Sequence, residues 1–328
     1  MYEEYYGFTE KPFSLTPDPK FLFKSTAHAN ALELLQYAIR RREGFVVITG
    51  GIGTGKTTLC RALLEQTDSR TFTALVLNPF LSEDDLLKSI LLELGVVSRH
   101  EIKQGRLNGV GKQELIDTLN EFLLSLQALR ARALLVIDEA QNLPLQVLEQ
   151  IRILSNLETE KEKLLQIVLV GQPNLKAMLR TDDLRQLEQR VSTRYDLRPL
   201  SRDETMAYVQ HRLSVAGGGS AVTFAPKAIA AVYKFSGGIP RLINLLCDRA
   251  LVAGYAALTN RIGVEHVESA AHTLELDRPT FALGGWVRER FAAFAAGMTL
   301  ATLLSAGAAA LWHYREYASL MVQLVHRP

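Results

Sequence analysis

Between residues 45 and 197 the chain alternates short apolar runs with longer stretches in which apolar residues return every three or four positions. The short runs are Phe45–Ile48, Phe72–Leu77, Ala133–Ile137, Gln166–Val170 and a briefer Arg194–Leu197. Their length suits strands, and the near-absence of polar residues in the central ones suits strands covered on both faces. Helical periodicity marks Ala27–Arg42, Ser82–Leu94, Gln113–Leu129, Leu145–Leu157 and Asn174–Leu179. Strands in alternation with helices predict an α/β fold, a parallel sheet with helices on both faces. After Pro199 the strand pattern stops, and Arg202–Ala216, Pro226–Phe235, Arg241–Ala256 and Val264–Leu274 predict a small all-α domain. The predicted division is an arm (1–26), the α/β core (27–199), the helical domain (200–276), a linker (277–290), an apolar segment (291–313) and a tail (314–328). The arm, with Thr16-Pro17-Asp18-Pro19, reads as ordered but neither helix nor strand, and Val97–Lys112 as a mobile loop.

The first strand runs into Gly50-Gly51-Ile52-Gly53-Thr54-Gly55-Lys56-Thr57, followed by the helix-like stretch from Thr58 to Glu65. This fits G-x-x-x-x-G-K-[ST] in the strand–loop–helix context that the motif requires. Glycines let the backbone curl so that successive N–H groups and the helix N-terminus face a phosphate, with Thr58 extending the cradle. Lys56 adds a cation and Thr57 a hydroxyl suited to Mg²⁺, so the motif predicts nucleoside triphosphate binding.

The strand Ala133–Ile137 ends in Asp138 and Glu139. At this distance behind a phosphate loop, Asp138 is the candidate to hold Mg²⁺ and Glu139 the candidate base for water; the pair implies hydrolysis. In an additional-strand arrangement two strands are expected between the phosphate loop and these acids. The next strand ends at Gly171-Gln172-Pro173, where Gln172 is a candidate sensor that orients the lytic water or touches the γ-phosphate, with capping of the turn before Asn174 the alternative. Arg190 and Arg194 lie four apart and share one face if the segment is helical; Arg190 first and Arg194 second are candidates to reach a neighbouring subunit's phosphates, with pairing to Glu188 or a nearby Asp the alternative. In Gly237-Gly238-Ile239-Pro240-Arg241 the glycines end one helix, Pro240 starts the next, and Arg241 projects from that end toward the nucleotide.

Net charge is only +2 and no run of five like charges occurs, which gives no sign of nucleic-acid binding. Cys60 and Cys247 each fall in an apolar helical pattern and read as buried free thiols, and no metal-binding cluster is suggested. The amino terminus has neither a basic nor an apolar segment of the kind a secretory signal needs. Phe291–Trp312, in contrast, runs 22 residues without a charge, nine of them alanine. A helix of that length is about 33 Å long, enough for a bilayer core of about 30 Å. Trp286, Trp312, Tyr314 and Tyr317 bracket it as interfacial aromatics would; an Ala-rich helix packed on protein is the alternative.

Taken together, the phosphate loop, Ile137-Asp138-Glu139-Ala140-Gln141, Gly171-Gln172-Pro173, the Arg190 segment and Gly238-Ile239-Pro240-Arg241 resemble AAA+ P-loop ATPases of the ExeA, or general secretion pathway protein A, family. The opening Tyr6-Gly7-Phe8, Lys11-Pro12-Phe13 and Thr16-Pro17-Asp18-Pro19-Lys20-Phe21-Leu22 is similar to that family's amino terminus. The resemblance implies an Mg²⁺-ATP-dependent ATPase that forms a ring or dimer. It further implies a single-pass bacterial inner-membrane anchor with the ATPase in the cytoplasm, and an envelope-assembly partner in a secretion, pilus or exopolysaccharide system. The longer members carry a periplasmic peptidoglycan-binding domain after the membrane span, where this sequence has only Tyr314–Pro328, so cell-wall binding is expected of a separate partner. The competing expectation is a DNA-binding regulator resembling transposition ATPases, which a basic lining of an assembled ring would favour.

Overall fold

The computed structural model describes residues 1–276 apart from 78, 79, 108, 161 and 218–220. Five parallel strands, β1 (Phe45–Gly50), β2 (Thr71–Val76), β3 (Arg132–Ile137), β4 (Leu165–Gly171) and β5 (Thr193–Leu197), form one sheet in the order β2-β3-β4-β1-β5. The register Val47↔Leu169 and Leu135↔Ile167 brings the carboxyl ends of β1, β4 and β3 side by side. A single strand, β4, therefore separates the phosphate loop from the acids, where two were expected. β1 and β4 are buried along their whole length, which explains why they are apolar apart from Thr49 and Gln166, whose side chains find hydrogen-bond partners within the fold.

Alternate residues feed two cores. On one face Phe45, Val47, Leu135, Ile137, Ile167 and Leu169 pack with α4 (Glu83–Glu93), α6 (Lys112–Ala128), α7 (Leu145–Leu154), α8 (Asn174–Leu179) and α9 (Arg185–Gln189). On the other, Val46, Ile48, Leu134, Val136, Val168 and Val170 meet α2 (Thr26–Arg40) and α3 (Lys56–Glu65). The period of two along each strand is what sorts these side chains between faces. The stretch expected as a mobile loop contains α5 (Arg99–Lys103), closed by a capping box between Ser98 and Glu101.

A third core belongs to α10 (Arg202–Val215), α11 (Pro226–Ser236), α12 (Pro240–Ala256) and α13 (Val264–Thr273). Two corrections apply here. A parallel pair of two-residue strands, β6 (Thr223–Phe224) and β7 (Arg261–Ile262), joins these helices, so the domain is not purely helical. The arm also holds a four-residue helix, α1 (Tyr2–Tyr5), and a 3₁₀ turn at Pro19–Phe21. Its Tyr2, Tyr6, Phe8, Phe13 and Phe21 are buried in the same core as α10–α13. Tyr6 is 1% exposed and donates its hydroxyl to the carbonyl of Thr259 at 3.0 Å. Arg61 of α3 donates to the carbonyl of Pro17 at 2.8 Å, tying the arm to the sheet domain as well.

Cys60 and Cys247 are buried and unpaired, and burial pushes both thiols well above their usual range. Among the described residues no helix is long and apolar enough to cross a membrane; Phe291–Trp312, the linker and the tail lie outside them.

Candidate functional site

The loop between β1 and α3 is built by conformations that favour glycine. Gly53 and Gly55 have φ of +77° and +97°, and Gly55 is the residue from which α3 starts. A Cβ on Gly53 would lie 2.6 Å from Cβ of Arg241, so the first turn of α12 sits directly on the loop. The Arg241 N–H donates to the carbonyl of Gly53 at 3.2 Å. Thr54, 1% exposed, turns its hydroxyl back onto the carbonyl of Gly51, whereas Ile52 at the tip is 66% exposed.

His28 of α2 supports the loop from beneath, a contact the sequence did not disclose. Its Nε2 lies 3.1 Å from the carbonyl of Thr54 and its Nδ1 2.7 Å from Oγ of Ser25. A carbonyl only accepts, so Nε2 carries the proton, and Nδ1 accepts from the serine hydroxyl. Burial holds the His28 pKa below its usual value of 6.5. The ring leaves no space for a side chain at Gly55, whose Cβ would come within 2.8 Å of Nε2.

Lys56 is 5% exposed and donates to the carbonyls of Gly50 and Gly51, each at 3.0 Å. Burial lowers its pKa; the nearby carboxylates of Glu139 and Asp138 work against that shift. The Thr57 hydroxyl donates to the Asp138 carboxylate, which is 2% exposed and also accepts the N–H of Glu139 at 2.8 Å. This hydroxyl and carboxylate are hard oxygen ligands of the kind Mg²⁺ takes together with water and phosphate oxygens. Among the described residues no group of three His, Cys, Asp or Glu side chains could hold an ion by itself.

Glu139 stands in the left-handed region at φ +52°, ψ +34°, a conformation that costs a non-glycine residue about 1–2 kcal/mol. Its Oε2 accepts from Nε2 of Gln141 at 2.6 Å and from Nε2 of Gln172 at 3.4 Å. Gln172 does not serve as a turn cap through its side chain; that side chain faces the acid. β1, β3 and β4 thus bring Lys56, Thr57, Asp138, Glu139 and Gln172 into one cluster at the carboxyl edge of the sheet.

Arg190 and Arg194 do not line the cleft beside the phosphate loop. Nor do they share a helix face: Arg190 ends α9 and Arg194 lies in β5. Arg190 donates to Oγ of Ser155 at 2.8 Å, and the exposed Arg194 pairs with Glu188 at 3.4 Å.

The far end of the cleft is formed by the arm, α10 and α12, through Phe21, Tyr208, Arg212 and Asn244. Buried Arg212 donates to the carbonyls of Pro12 and Ser14, and its guanidinium lies 4.3 Å from the Phe21 ring centre. Sequence reading missed this group. Its signal was a cation in the apolar stripe Thr205-Tyr208-Val209-Arg212-Leu213, a placement that demands buried partners.

A family model described as an AAA domain matches residues 39–179. General secretion pathway protein A of Aeromonas hydrophila is 43% identical over 302 residues, which cover 92% of this chain and 53% of the relative. The chain thus spans about half the length of that curated relative. Among solved structures, the Aeropyrum pernix ORC2 protein in its ADPNP-ADP complexes superposes with a TM-score of 0.61 at 16% identity, covering 81% of this chain and 72% of that one. Cdc6p from Pyrobaculum aerophilum does so with a TM-score of 0.61 at 18% identity, covering 80% and 70%. At these identities the structural likeness concerns the fold, and the family rests on the sequence relative. The chain belongs to the AAA+ P-loop NTPases as a relative of general secretion pathway protein A.

Proposed function

We propose that the chain is an Mg²⁺-dependent ATPase, anchored in the bacterial inner membrane with the nucleotide site in the cytoplasm. In this reading it works as an oligomer on a protein client during assembly of an envelope secretion, pilus or exopolysaccharide structure. The observation that carries hydrolysis, beyond nucleotide binding, is the meeting of Lys56, Thr57, Asp138, Glu139 and Gln172 at one edge of the sheet. The name of the relative supports the secretion setting. The apolar run Phe291–Trp312 supports the anchor.

In this reading the backbone of Gly50–Thr58 wraps the phosphates, and Lys56 exchanges its two carbonyl partners for phosphate oxygens. Thr57 and Asp138 would hold Mg²⁺, which when bound would neutralise charge on the transferring phosphoryl group. Glu139 takes a proton from water as the water oxygen bonds to the γ-phosphorus, and ADP leaves with the electrons of the broken P–O bond. Gln172 orients that water, Arg241 senses the phosphates from α12, and Arg190 or Arg194 completes the site of a neighbouring subunit. Phosphate release by the purified full chain tests this directly. The expected result is turnover that requires Mg²⁺ and disappears in Glu139→Gln; a chain that binds no nucleotide would overturn the reading.

A further inference from the structure

Gln141 links two elements that are adjacent in the sheet but distant in sequence. Its Nε2 donates to Oε2 of Glu139, while its Oε1 accepts the backbone N–H of Gln172 at 2.9 Å. One amide therefore connects the end of β3 to the end of β4, 31 residues further along the chain. Gln172 then closes a ring through its own side chain, which reaches the same Oε2. The space for this link is set by Gly171, where a Cβ would lie 2.8 Å from Oε1 of Gln141 and 2.9 Å from Cδ2 of Leu175.

The link acts on a residue that needs holding. Glu139 occupies a left-handed conformation that persists only when its surroundings over-determine it. Gln141 is 9% exposed, so its amide reaches Glu139 out of competition with bulk water. Both side-chain hydrogen bonds to Glu139 converge on Oε2, and among the described residues Oε1 accepts none. The carboxylate is turned so that one oxygen is anchored and the other is available.

We propose that Gln141 is a positioning residue for hydrolysis: it fixes the rotamer of Glu139 and couples it to Gln172, so that base and water-orienting amide keep a constant separation. The proposal rests on Glu139 acting as the base. Gln141 is placed through Glu139 and touches neither the nucleotide nor the water.

The two halves of the amide can be separated experimentally. Gln141→Glu keeps an oxygen that accepts the Gln172 N–H but replaces the donor to Glu139 with a repelling carboxylate. With full-chain protein, kcat and the ATP dissociation constant are measured for wild type, Gln141→Glu, Glu139→Gln and the double variant. The expected result is a kcat about tenfold or more below wild type with nucleotide affinity kept within about twofold, because only part of the base's contribution of roughly 10²–10⁴ is lost. In the Glu139→Gln background the second substitution should change residual turnover by less than about twofold, since there is no base left to position. Gln141→Met, similar in volume and lacking both bonds, supplies the same comparison where Gln141→Glu does not fold. Wild-type kcat in either variant, or multiplicative losses in the double variant, would overturn the role of Gln141 alone. A wild-type chain that binds ATP without turning it over would overturn the hydrolysis reading, and this one with it.

Discussion

Lys56 is a buried cation of the glycine-rich loop, and Glu139 is an acid beyond the end of β3 whose charge acts on it. Lys56→Ala removes the cation nearest the phosphates and should weaken ATP binding, whereas Glu139→Gln should bind ATP and lose about a hundredfold or more in turnover. Nucleotide titration beside phosphate release distinguishes them, and equal loss of binding in both would show that Glu139 serves the fold of the loop. His28 makes the loop sensitive to acid. Because its folded pKa lies below 6.5, the unfolded chain takes up a proton first as pH falls. Stability from neutral His28 is complete above about 6.5 and is lost as pH drops through the lower folded value. Denaturant midpoints measured from pH 7.5 to 5 should fall less steeply in His28→Gln, which keeps a donor for Thr54 but does not titrate; parallel curves would remove His28 from the acid response.

Helix ends set the relation between the two domains. Gly238 has φ of +76°, and a Cβ there would overlap the Leu200 carbonyl oxygen at 2.0 Å, while Leu200 N–H donates to the Gly238 carbonyl at 2.9 Å. Gly238→Ala should therefore cost about 2 kcal/mol or more and displace the start of α12 from Gly53. Urea unfolding together with nucleotide affinity reports both effects, and an unaltered midpoint would contradict the close approach. The central strands were legible in the sequence because burial on two faces keeps them apolar but for Thr49 and Gln166, and the phosphate loop because its glycines serve backbone geometry directly. The loop's support by His28 was not, since α2 precedes β1 and meets the loop only after the sheet has formed. The Gln141 link depends on β4 lying beside β3, a neighbour relation that no local pattern encodes. β6 and β7, at two residues each, are too short to show alternation, and the arginine pair was misread because α9 stops before Arg194. For these arginines the decisive measurement is mixing. Arg190→Ala subunits combined with Lys56→Ala subunits should recover activity above either alone if an arginine acts across an interface. Absence of recovery in mixtures shown to co-assemble would argue against it.

Across the whole molecule, the arm belongs energetically to residues at the other end of the described chain. Tyr6 is enclosed by α12 and the turn after it, with its hydroxyl on the Thr259 carbonyl and 2.8 Å from where a Cβ on Gly254 would stand. Tyr6→Ala should destabilise the protein by about 3–5 kcal/mol and Tyr6→Phe by about 1 kcal/mol, as measured by chemical denaturation. If both are silent, the arm is an appendage. Beyond the described residues, the proposed anchor predicts that the full-length protein stays with membranes through a carbonate wash, and release into the supernatant would remove it. The burial of the arm also dictates an order of events during synthesis. Tyr6 leaves the ribosome long before Leu251, the partner 245 positions later whose carbonyl also accepts its hydroxyl. At about 5–20 residues per second, the nascent aromatic segment remains without its core for roughly ten seconds or longer, while the sheet domain can already close. Tyr2, Tyr6, Phe8 and Phe13 are thus apolar surface that waits, during synthesis, for the helices that conceal it in the finished protein.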